Sequence, residues 1–367
     1  MKKLLAGSKL LDIVDKVENG QRLTREDGVR LMESNELLTI GYMADLVRRR
    51  KNGDYAYFIV NRHINHTNIC ANLCPLCAFG KKADDPGAYT MDLDTIETKA
   101  IECKEQKISE VHIVGGLNPD LKLEYFEEML RRVRNALPNV VIQAFTAVEI
   151  DYFAQTENLS VEEVLRRLMK AGLDSLPGGG AEIFAQRVRD KICEKKISGD
   201  RWLEVHEQAH KAGMRTNATM LYGHIETVGE RIDHLIRLRE LQDRTGGFLT
   251  FIPLAFHPQN TGLDDMGLSR TTGYEDLRIL AVARLMLDNF DHIKAYWVMI
   301  GLKLAQVSLA FGVDDIDGTV VEEKITHAAG GETEQALNKQ QLVDMIKAAG
   351  RVPAERDTLY RILEEGF

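Results

Sequence analysis

The sequence has few cysteines, no surplus of basic residues and no long uninterrupted apolar run. Its five cysteines among 367 residues are too sparse for a disulfide framework, and their odd number favours a reducing compartment. Its 47 basic residues are outnumbered by 56 acidic ones, which argues against broad binding to a nucleic-acid backbone. The most apolar stretch, 295–313, contains a lysine, a glutamine and a glycine break, and this makes it a poor candidate for a membrane span.

The N-terminal segment MKKLLAGSKLLDIVDK lacks the sustained apolar core of a secretory leader, because Asp12, Asp15 and Lys16 follow early. We therefore expect this segment to form a helix and the protein to be soluble and cytoplasmic. An apolar content of 44% and a charged content of 28% suit a globular protein with a full core.

Short apolar or β-branched runs alternate with longer helical patterns after residue 57. This alternation is typical of an α/β fold and favours a (β/α)8 TIM-type barrel, while an open doubly wound sheet is the alternative because periodicity does not show closure. We expect an N-terminal helical extension at 1–57, the barrel at 58–321 and a C-terminal helical tail at 322–367. The predicted strands are 58–65, 110–114, 140–145, 173–176, 215–220, 248–253, 292–297 and 315–318.

Polar or glycine-rich segments follow the first six of these strands. In a parallel barrel such segments meet at the carboxyl ends of the strands, where barrel enzymes place their active sites. The sequence therefore predicts a functional site at this end. The segments are HTNICANLCPLCAF, GGLNPD, TAVEI, PGGGAEI, LYGHIET and LAFHPQN.

Three of the five cysteines fall within the stretch CANLCPLC at 70–77. A Cys-x3-Cys-x2-Cys spacing in a polar loop favours metal ligands over inert buried thiols. Zinc would need a fourth protein ligand, which His63 or His66 could supply, whereas an iron–sulfur cluster on three thiolates keeps one iron open. Cys103 and Cys193 lack such spacing, and we interpret them as buried thiols.

The triplet Cys70, Cys74 and Cys77 after a first barrel strand resembles the signature of radical S-adenosylmethionine enzymes. The resemblance implies a [4Fe–4S] cluster on these thiolates. It also implies that S-adenosylmethionine binds the fourth iron and is the source of a 5′-deoxyadenosyl radical.

The same resemblance implies cofactor-binding residues beyond the cysteines. The VGG segment, with Gly115 and Gly116, matches the glycine-rich segment that approaches the methionyl amino group in this family. The residue before the third cysteine is usually aromatic, and here it is Leu76. We expect Leu76 to keep an apolar contact with adenine and Phe79 to compensate for the lost stacking.

Longer segments resemble one branch of this superfamily, the aminofutalosine synthases of menaquinone biosynthesis. The resemblance implies that the adenosyl radical adds to the enol ether of 3-[(1-carboxyvinyl)oxy]benzoate. The product would be 6-amino-6-deoxyfutalosine, with loss of the carboxyl group and release of methionine, and an external donor such as flavodoxin or ferredoxin would supply the electron. The dehypoxanthine futalosine cyclases and the FO synthase subunit are the alternatives, and the segments GLKLAQ and DIDGTVVEEKI favour the synthase. The resembling segments include NRHINHTNIC, HIVGGLNPD, AGLDSLPGGGAEIF, HIKAYWVMIGLKLAQ and DDIDGTVVEEKI.

Further candidate site residues lie near the predicted strand ends. Glu182 follows three glycines and is a candidate acceptor for the ribose hydroxyls, and Glu149 has a similar position. Each of them has an alternative interpretation as a residue that begins a helix. The substrate carries two carboxylates, so hydrogen-bond donors should face it. We expect substrate contacts from Asn65, Thr146 and His257, and catalytic contacts from His66 and His224.

The stretch HEQAH at 206–210 matches the HExxH pattern of zinc peptidases. It lies on a helix between the fourth and fifth predicted strands, which places it in the outer ring of a barrel. We therefore interpret His206 and His210 as residues on the surface of that helix. A zinc hydrolase and a non-catalytic iron–sulfur or S-adenosylmethionine binding protein are the competing functional hypotheses.

Overall fold

A curled sheet of parallel strands organises the computed structural model, which describes residue 5 and residues 7–367. The strands follow one another around the sheet in chain order, and every neighbouring pair is parallel. A doubly wound sheet would reverse its strand order, so this order confirms the barrel-like α/β expectation. The strands β2 to β8 are Asn61–Ile64, Glu110–Ile113, Val141–Ala144, Ser175–Leu176, Arg215–Tyr222, Phe248–Ala255 and His292–Ile293.

The strand β9 (Asp315–Gly318) and the residues just after it span the gap between the two edges of this sheet. The strand β1 (Tyr55–Ile59) runs almost directly into β2 and pairs in parallel with β9. Single bridges join Lys294 to Asp315 and Arg62 to Val321. The sheet is therefore closed by a seam of isolated bridges, and its β4–β5 and β5–β6 joins are also short, with one and two residue pairs.

Helices cover the outer face of the sheet. Their apolar residues recur at helical spacing and are buried against the strands, as Trp202 and Val205 are on α9 (Gly199–Lys211). Thr146, Thr227 and Thr272 accept hydrogen bonds from the first turns of α6 (Ala147–Thr156), α10 (Val228–Thr245) and α11 (Gly273–Met286), which satisfies backbone donors that a helix leaves unpaired. The helices α4 to α13 are Leu93–Glu102, Leu123–Ala136, Ala147–Thr156, Val161–Ala171, Gln186–Ile192, Gly199–Lys211, Val228–Thr245, Gly273–Met286, Trp297–Ile300 and Leu302–Ser308.

The N-terminal extension is helical in the part of the chain that the structure describes. It consists of α1 (Leu11–Glu18), α2 (Arg25–Glu33) and α3 (Leu37–Asn52); α2 packs on α10 and α11, α3 packs on α11, and α1 packs on α3. Residues 1–4 and 6, which belong to the predicted N-terminal helix, lie outside the described residues. None of the helices formed by the described residues is long and apolar enough to cross a membrane.

The tail contains helices at Ile325–Ala328 (α14) and Lys339–Ala348 (α15), and it ends in two strands that the sequence pattern did not predict. The strand β10 (Val352–Arg356) pairs in parallel with β1, and β11 (Ile362–Glu365) pairs antiparallel with β10. All four residues of β11 are exposed, so it lacks the alternation that marks a half-buried strand.

The end of the tail closes the amino-terminal end of the curled sheet. The guanidinium of Arg356 donates to Asp315 at 2.5 Å, and the hydroxyl of Thr358 donates to Glu110 at 2.8 Å. Both carboxylates belong to residues of barrel strands. The opposite end, where the strands finish, is the end that holds the cavity described next.

Candidate active site

A cavity of about 350 Å³ lies inside the curled sheet and opens toward the carboxyl ends of its strands. All three cysteines of the CANLCPLC stretch line it, as do residues that follow β3, β4, β5 and β7. Segments far apart in the chain therefore meet at one site, as the parallel barrel predicts.

Backbone hydrogen bonds fold the loop that carries the cysteines. The amide of Cys70 donates to the carbonyl of Lys81 at 3.0 Å, and the amide of Cys77 donates to the carbonyl of Cys74 at 2.9 Å. The amide of Gly80 lies 3.4 Å from the sulfur of Cys77 and donates to it. Amides directed at sulfur stabilise thiolate ligands, so this loop is built to hold a metal centre.

The spacing of the thiols distinguishes a cluster from a single ion. Among the described residues, no three His, Cys, Asp or Glu side chains lie close enough together to hold one metal ion. A zinc ion draws four ligands to within about 2.0–2.3 Å of one point. The irons of a [4Fe–4S] cluster take one thiolate each, so its thiolates stand further apart. Among the described residues the three thiols are therefore not arranged as a zinc site, and they are left as candidate ligands for separate irons of a cluster.

The sulfur of Cys74 lies in the most enclosed position of the three. Burial raises the pKa of its thiol to about 12, and the nearby ammonium of Lys196 opposes this shift. A coordinating metal deprotonates a thiol outright. The thiol of Cys74 is thus neutral in the absence of a metal. The protein therefore does not bury an unpaired thiolate charge before iron binds.

The glycine-rich segment after β3 leaves no room for side chains. A Cβ atom on Gly116 would lie 2.2 Å from the carbonyl oxygen of Ile69, and one on Gly115 would lie 2.5 Å from the ring of His66. The amide of Gly116 also donates to the carbonyl of Thr67 at 2.9 Å. The backbone of this segment therefore packs directly against the root of the cysteine loop.

Glu149 connects this segment to the helix α6. Its carboxylate accepts hydrogen bonds from the amides of Thr146 at 2.7 Å and Gly115 at 3.3 Å, while the hydroxyl of Thr146 accepts from the amide of Glu149. Burial nevertheless raises the pKa of Glu149 to about 7. Glu149 is thus both a residue of a helix cap and a wall of the cavity.

Glu182 and Lys196 form a buried ion pair in the cavity wall, with 2.5 Å between the carboxylate oxygen and Nζ. Burial alone would raise the pKa of Glu182, but the charge of Lys196 offsets this and holds that pKa below its usual range. The backbone of Glu182 adopts a left-handed conformation with φ of 46°, which is uncommon for a residue other than glycine. The pair gives the cavity a fixed carboxylate and ammonium close to Cys74.

Most of the residues predicted from the sequence meet in this cavity, and three do not. The predicted residues that line it are Cys70, Leu76, Cys74, Cys77, Phe79, Gly115, Gly116, Thr146, Glu149, Glu182 and His257. Those outside its lining are Asn65, His66 and His224. Their roles in substrate binding and catalysis stay predictions.

The contacts of these three residues indicate that they support the backbone around the cavity. The side-chain amide of Asn65 donates to the carbonyl of Val114 at 3.1 Å. The ring of His66 is fully buried against Gly115 and Phe126. His224 contacts the carbonyl of Leu221 at 3.1 Å, and its other ring nitrogen lies 2.8 Å from Glu226.

A group of polar residues at the deep end of the cavity was not predicted as a group, and His63 was named only as a possible zinc ligand. His63 and His112 occupy paired positions on β2 and β3, and their rings stack with centroids 4.6 Å apart. Lys294 and Asp317 form an ion pair of 2.9 Å across the seam. Alternation within NRHIN and EVHIV could have indicated that both histidines point to one face, but the register between strands is not visible in a single sequence.

The interpretation of His206 as a residue on the helix surface is wrong, and His210 is half-buried. The ring of His206 is fully buried, stacks on Trp202 and lies 2.9 Å from the hydroxyl of Thr216. His210 contacts the hydroxyls of Thr216 and Thr245 at 2.8 and 2.7 Å. The inner face of α9 turns both rings toward Thr216 on β6, and His210 also contacts Thr245 at the end of α10. Nε2 of His206 is buried without a hydrogen-bond partner among the described residues.

The fold and the cavity define a class of protein, namely a parallel-barrel enzyme with three cluster-binding thiolates at the carboxyl ends of its strands. Two family descriptions match this chain: the radical SAM superfamily over residues 64–238, and the CofH/MqnC C-terminal region over residues 245–366. The chain belongs to the radical SAM superfamily. Enzymes of this superfamily use a [4Fe–4S] cluster and S-adenosylmethionine, and Cys70, Cys74 and Cys77 are the residues that fit the cluster.

Relatives with known names cover nearly the whole chain. An aminodeoxyfutalosine synthase of Thermus thermophilus is 48% identical over 355 residues, which is 96% of this chain and 95% of that protein. A cyclic dehypoxanthine futalosine synthase of Streptomyces coelicolor is 39% identical over 358 residues, with 96% of this chain and 89% of that protein covered. The structure of methylornithine synthase has a TM-score of 0.74 at 19% identity over 93% of this chain and 97% of that chain, which supports the fold.

Proposed function

We propose that this radical SAM enzyme catalyses the aminodeoxyfutalosine synthase reaction. Its substrate is 3-[(1-carboxyvinyl)oxy]benzoate and its product is 6-amino-6-deoxyfutalosine. The observation that carries the proposal is the 48% identity to an aminodeoxyfutalosine synthase over 96% of the chain, against 39% for the related cyclic dehypoxanthine futalosine synthase.

When bound, the cluster and S-adenosylmethionine supply the 5′-deoxyadenosyl group that becomes joined to the enol ether, with release of methionine and loss of the carboxyl group. The chain contributes binding and orientation, as proteins do when a cofactor carries the difficult chemistry. The backbone of Gly115 and Gly116 lies against the cysteine loop and supports the proposed contact with the methionyl group. Glu182 presents a carboxylate for ribose hydroxyls, and Leu76 and Phe79 give apolar surface for adenine.

The tail encloses the cavity, which matters because a carbon radical reacts with exposed side chains and solvent components. Ile325, Thr326 and Ala329 belong to the cavity lining. The carboxylate of Glu323 accepts from the amides of Ile325 and Thr326 at 2.8 and 2.9 Å, which fixes this segment. The segment therefore limits access to the cavity from the tail side.

The electron needed to start each turnover comes in this proposal from an external donor such as flavodoxin or ferredoxin. The cysteine loop suits such a donor because it lies near the surface, with Ala71 and Pro75 exposed. A small reduced protein can therefore come close to the cluster without opening the cavity.

Anaerobic reconstitution followed by product analysis tests the proposal. The protein should bind about four irons per chain, and with S-adenosylmethionine, a reductant and 3-[(1-carboxyvinyl)oxy]benzoate it should yield methionine and 6-amino-6-deoxyfutalosine. Dehypoxanthine futalosine serves as the matched substrate of the related reaction. Turnover of that compound in place of the carboxyvinyl benzoate would overturn the proposal, and so would stoichiometric zinc without iron.

A further inference from the structure

The deep end of the cavity holds a second buried ion pair, which the cluster and S-adenosylmethionine do not account for. Nζ of Lys294 lies 2.9 Å from a carboxylate oxygen of Asp317, and the two side chains are 7% and 8% exposed. Both residues line the cavity. His112 lies in the same region. It is on β3, three residues before Gly115, and Gly115 packs against the root of the cysteine loop. The region is therefore deeper in the barrel than the cysteine loop.

The pair is poorly explained as a stabilising feature. A buried ion pair is weak evidence for stability, because apolar side chains of similar volume often do as well. Asp317 also has a left-handed backbone with φ of 64°, and its amide donates to Asp315 at 2.7 Å to hold that conformation. Such strain costs free energy and tends to be found at functional sites.

Lys294 retains capacity to bind a ligand. An ammonium has three N–H donors, and within the described residues Lys294 donates one hydrogen bond, to Asp317. The cavity's other ammonium, on Lys196, is already bonded to Glu182 and lies close to Cys74. Two donors of Lys294 therefore face the deep end of the cavity without a partner among the described residues.

Apart from Asp317, the groups around Lys294 do not compete for its charge. Burial lowers the pKa of His63 to about 3, and burial also lowers the pKa of His112, so both imidazoles are neutral. The carboxylate of Glu323 is occupied by backbone amides and by His327, whose ring nitrogen lies 3.0 Å away. Glu110 accepts from Asn61 at 3.1 Å and from the tail.

From these contacts we infer that Lys294 binds the ring carboxylate of the substrate and that Asp317 neutralises its charge while the site is empty. The inference rests on the proposed function. The double bond that reacts must face the cysteine loop, where the adenosyl group is held. The ring carboxylate is the end of the substrate remote from that bond, so it extends toward the deep end. Asp317 also lies within DIDGTVVEEKI, one of the segments that favour the synthase.

Two substitutions of opposite charge test this role. Lys294→Met removes the donor and should raise the Kd for 3-[(1-carboxyvinyl)oxy]benzoate by about 10- to 100-fold, as expected for a hydrogen bond between charged groups. Asp317→Asn removes the competing carboxylate, and asparagine tolerates the left-handed backbone. The Kd of the Asp317→Asn variant for 3-[(1-carboxyvinyl)oxy]benzoate should fall or stay unchanged. A purely structural pair would weaken binding in both variants, and that outcome would overturn the inference.

The ligand supplies a second test, which uses 2-phenoxyprop-2-enoate, an analogue without the ring carboxylate. Dissociation constants are measured on the reconstituted enzyme with S-adenosylmethionine and without reductant, so that no turnover occurs. Wild type should bind this analogue more weakly than the substrate, and Lys294→Met should bind the two compounds within about threefold of each other. If the loss of affinity caused by Lys294→Met and the loss caused by removing the ring carboxylate simply add, the inference is overturned. Where Lys294→Met fails to fold, the neutral double variant Lys294→Met/Asp317→Asn serves for the same comparison.

Lys99→Met is the matched control, because Lys99 is an ion-paired lysine, 2.8 Å from Glu322, outside the cavity. It should bind the substrate as wild type does. Failure of the inference is distinguishable from failure of the proposed function, since the latter would appear as absence of wild-type turnover with the carboxyvinyl benzoate.

Discussion

At Gly116, the addition of one methyl group should push the cysteine loop away from the glycine-rich segment that supports it. A Cβ atom there would lie 2.2 Å from the carbonyl oxygen of Ile69, 2.8 Å from its carbonyl carbon and 3.1 Å from Cβ of Cys70. Contacts between carbon and oxygen are ordinary from about 3.3 Å. In Gly116→Ala the backbone at Ile69 must therefore move by about 1 Å, and Cys70 moves with it.

A displacement of that size is large for a site that must place three thiolates around one cluster. A misplacement of about 1 Å can cost roughly 100-fold in rate. We expect Gly116→Ala to lose at least half of its bound iron and to turn over at roughly one hundredth of the wild-type rate or less. Since the affected groups lie in a loop, the free energy of unfolding should fall by about 1–3 kcal/mol, the usual range for overpacking.

Gly80→Ala is the matched control because its new methyl group would meet the same cysteine without a clash. A Cβ atom on Gly80 would lie 3.5 Å from Cβ of Cys70 and 3.8 Å from the sulfur of Cys77. Iron content after anaerobic reconstitution, product formation and urea unfolding are measured for both variants. If Gly116→Ala keeps iron and turnover within twofold of Gly80→Ala, the packing argument is refuted.

Other substitutions test the remaining parts of the structure. Alanine at any one of the three cluster cysteines should abolish iron binding, whereas Cys103→Ala, which removes a buried thiol outside the cavity, should retain it in the same iron assay. The pKa of Glu149 rises from 4.5 to about 7 on folding. The apo protein should therefore lose up to roughly 3 kcal/mol of stability as the pH rises through this interval, and Glu149→Gln should remove that loss in unfolding measurements between pH 5 and 8. Arg284→Met leaves the buried carboxylate of Asp314 without its cation and should lower the free energy of unfolding by about 3–5 kcal/mol, and a loss below about 1 kcal/mol would contradict the importance of that pair. His206→Ala should unfold more easily but bind as much iron per folded chain as wild type, and a loss of iron would mean that its helix supports the site.

Each strand of the curled sheet lies where a short apolar run predicted one. The run 110–114 corresponds to β3 and the run 315–318 to β9. These strands are buried on both faces, and such runs differ clearly from the longer helical patterns around them. The strands of the tail escaped prediction because β11 is exposed throughout and carries no such signal.

The site was predictable to the extent that its residues are close in sequence or resemble a known signature. The cysteine loop and the glycines after β3 belong to this kind. The stacked rings of His63 and His112 do not, because their contact depends on the register of two strands. The buried orientation of His206 was also not predictable, since a helical pattern does not specify which polar residues find partners on a neighbouring strand.

The sequence by itself determined the class of the enzyme and the cofactor it binds, because three thiolates within one short loop form a local motif that needs no tertiary information. Only the tertiary structure decided how deep the cavity reaches and which charges line its far end. Lys294 and Asp317 come from different strand ends, and Glu323 comes from the tail. Closure of the sheet brings them together, and closure depends on hydrogen bonds between strands that are distant in the chain.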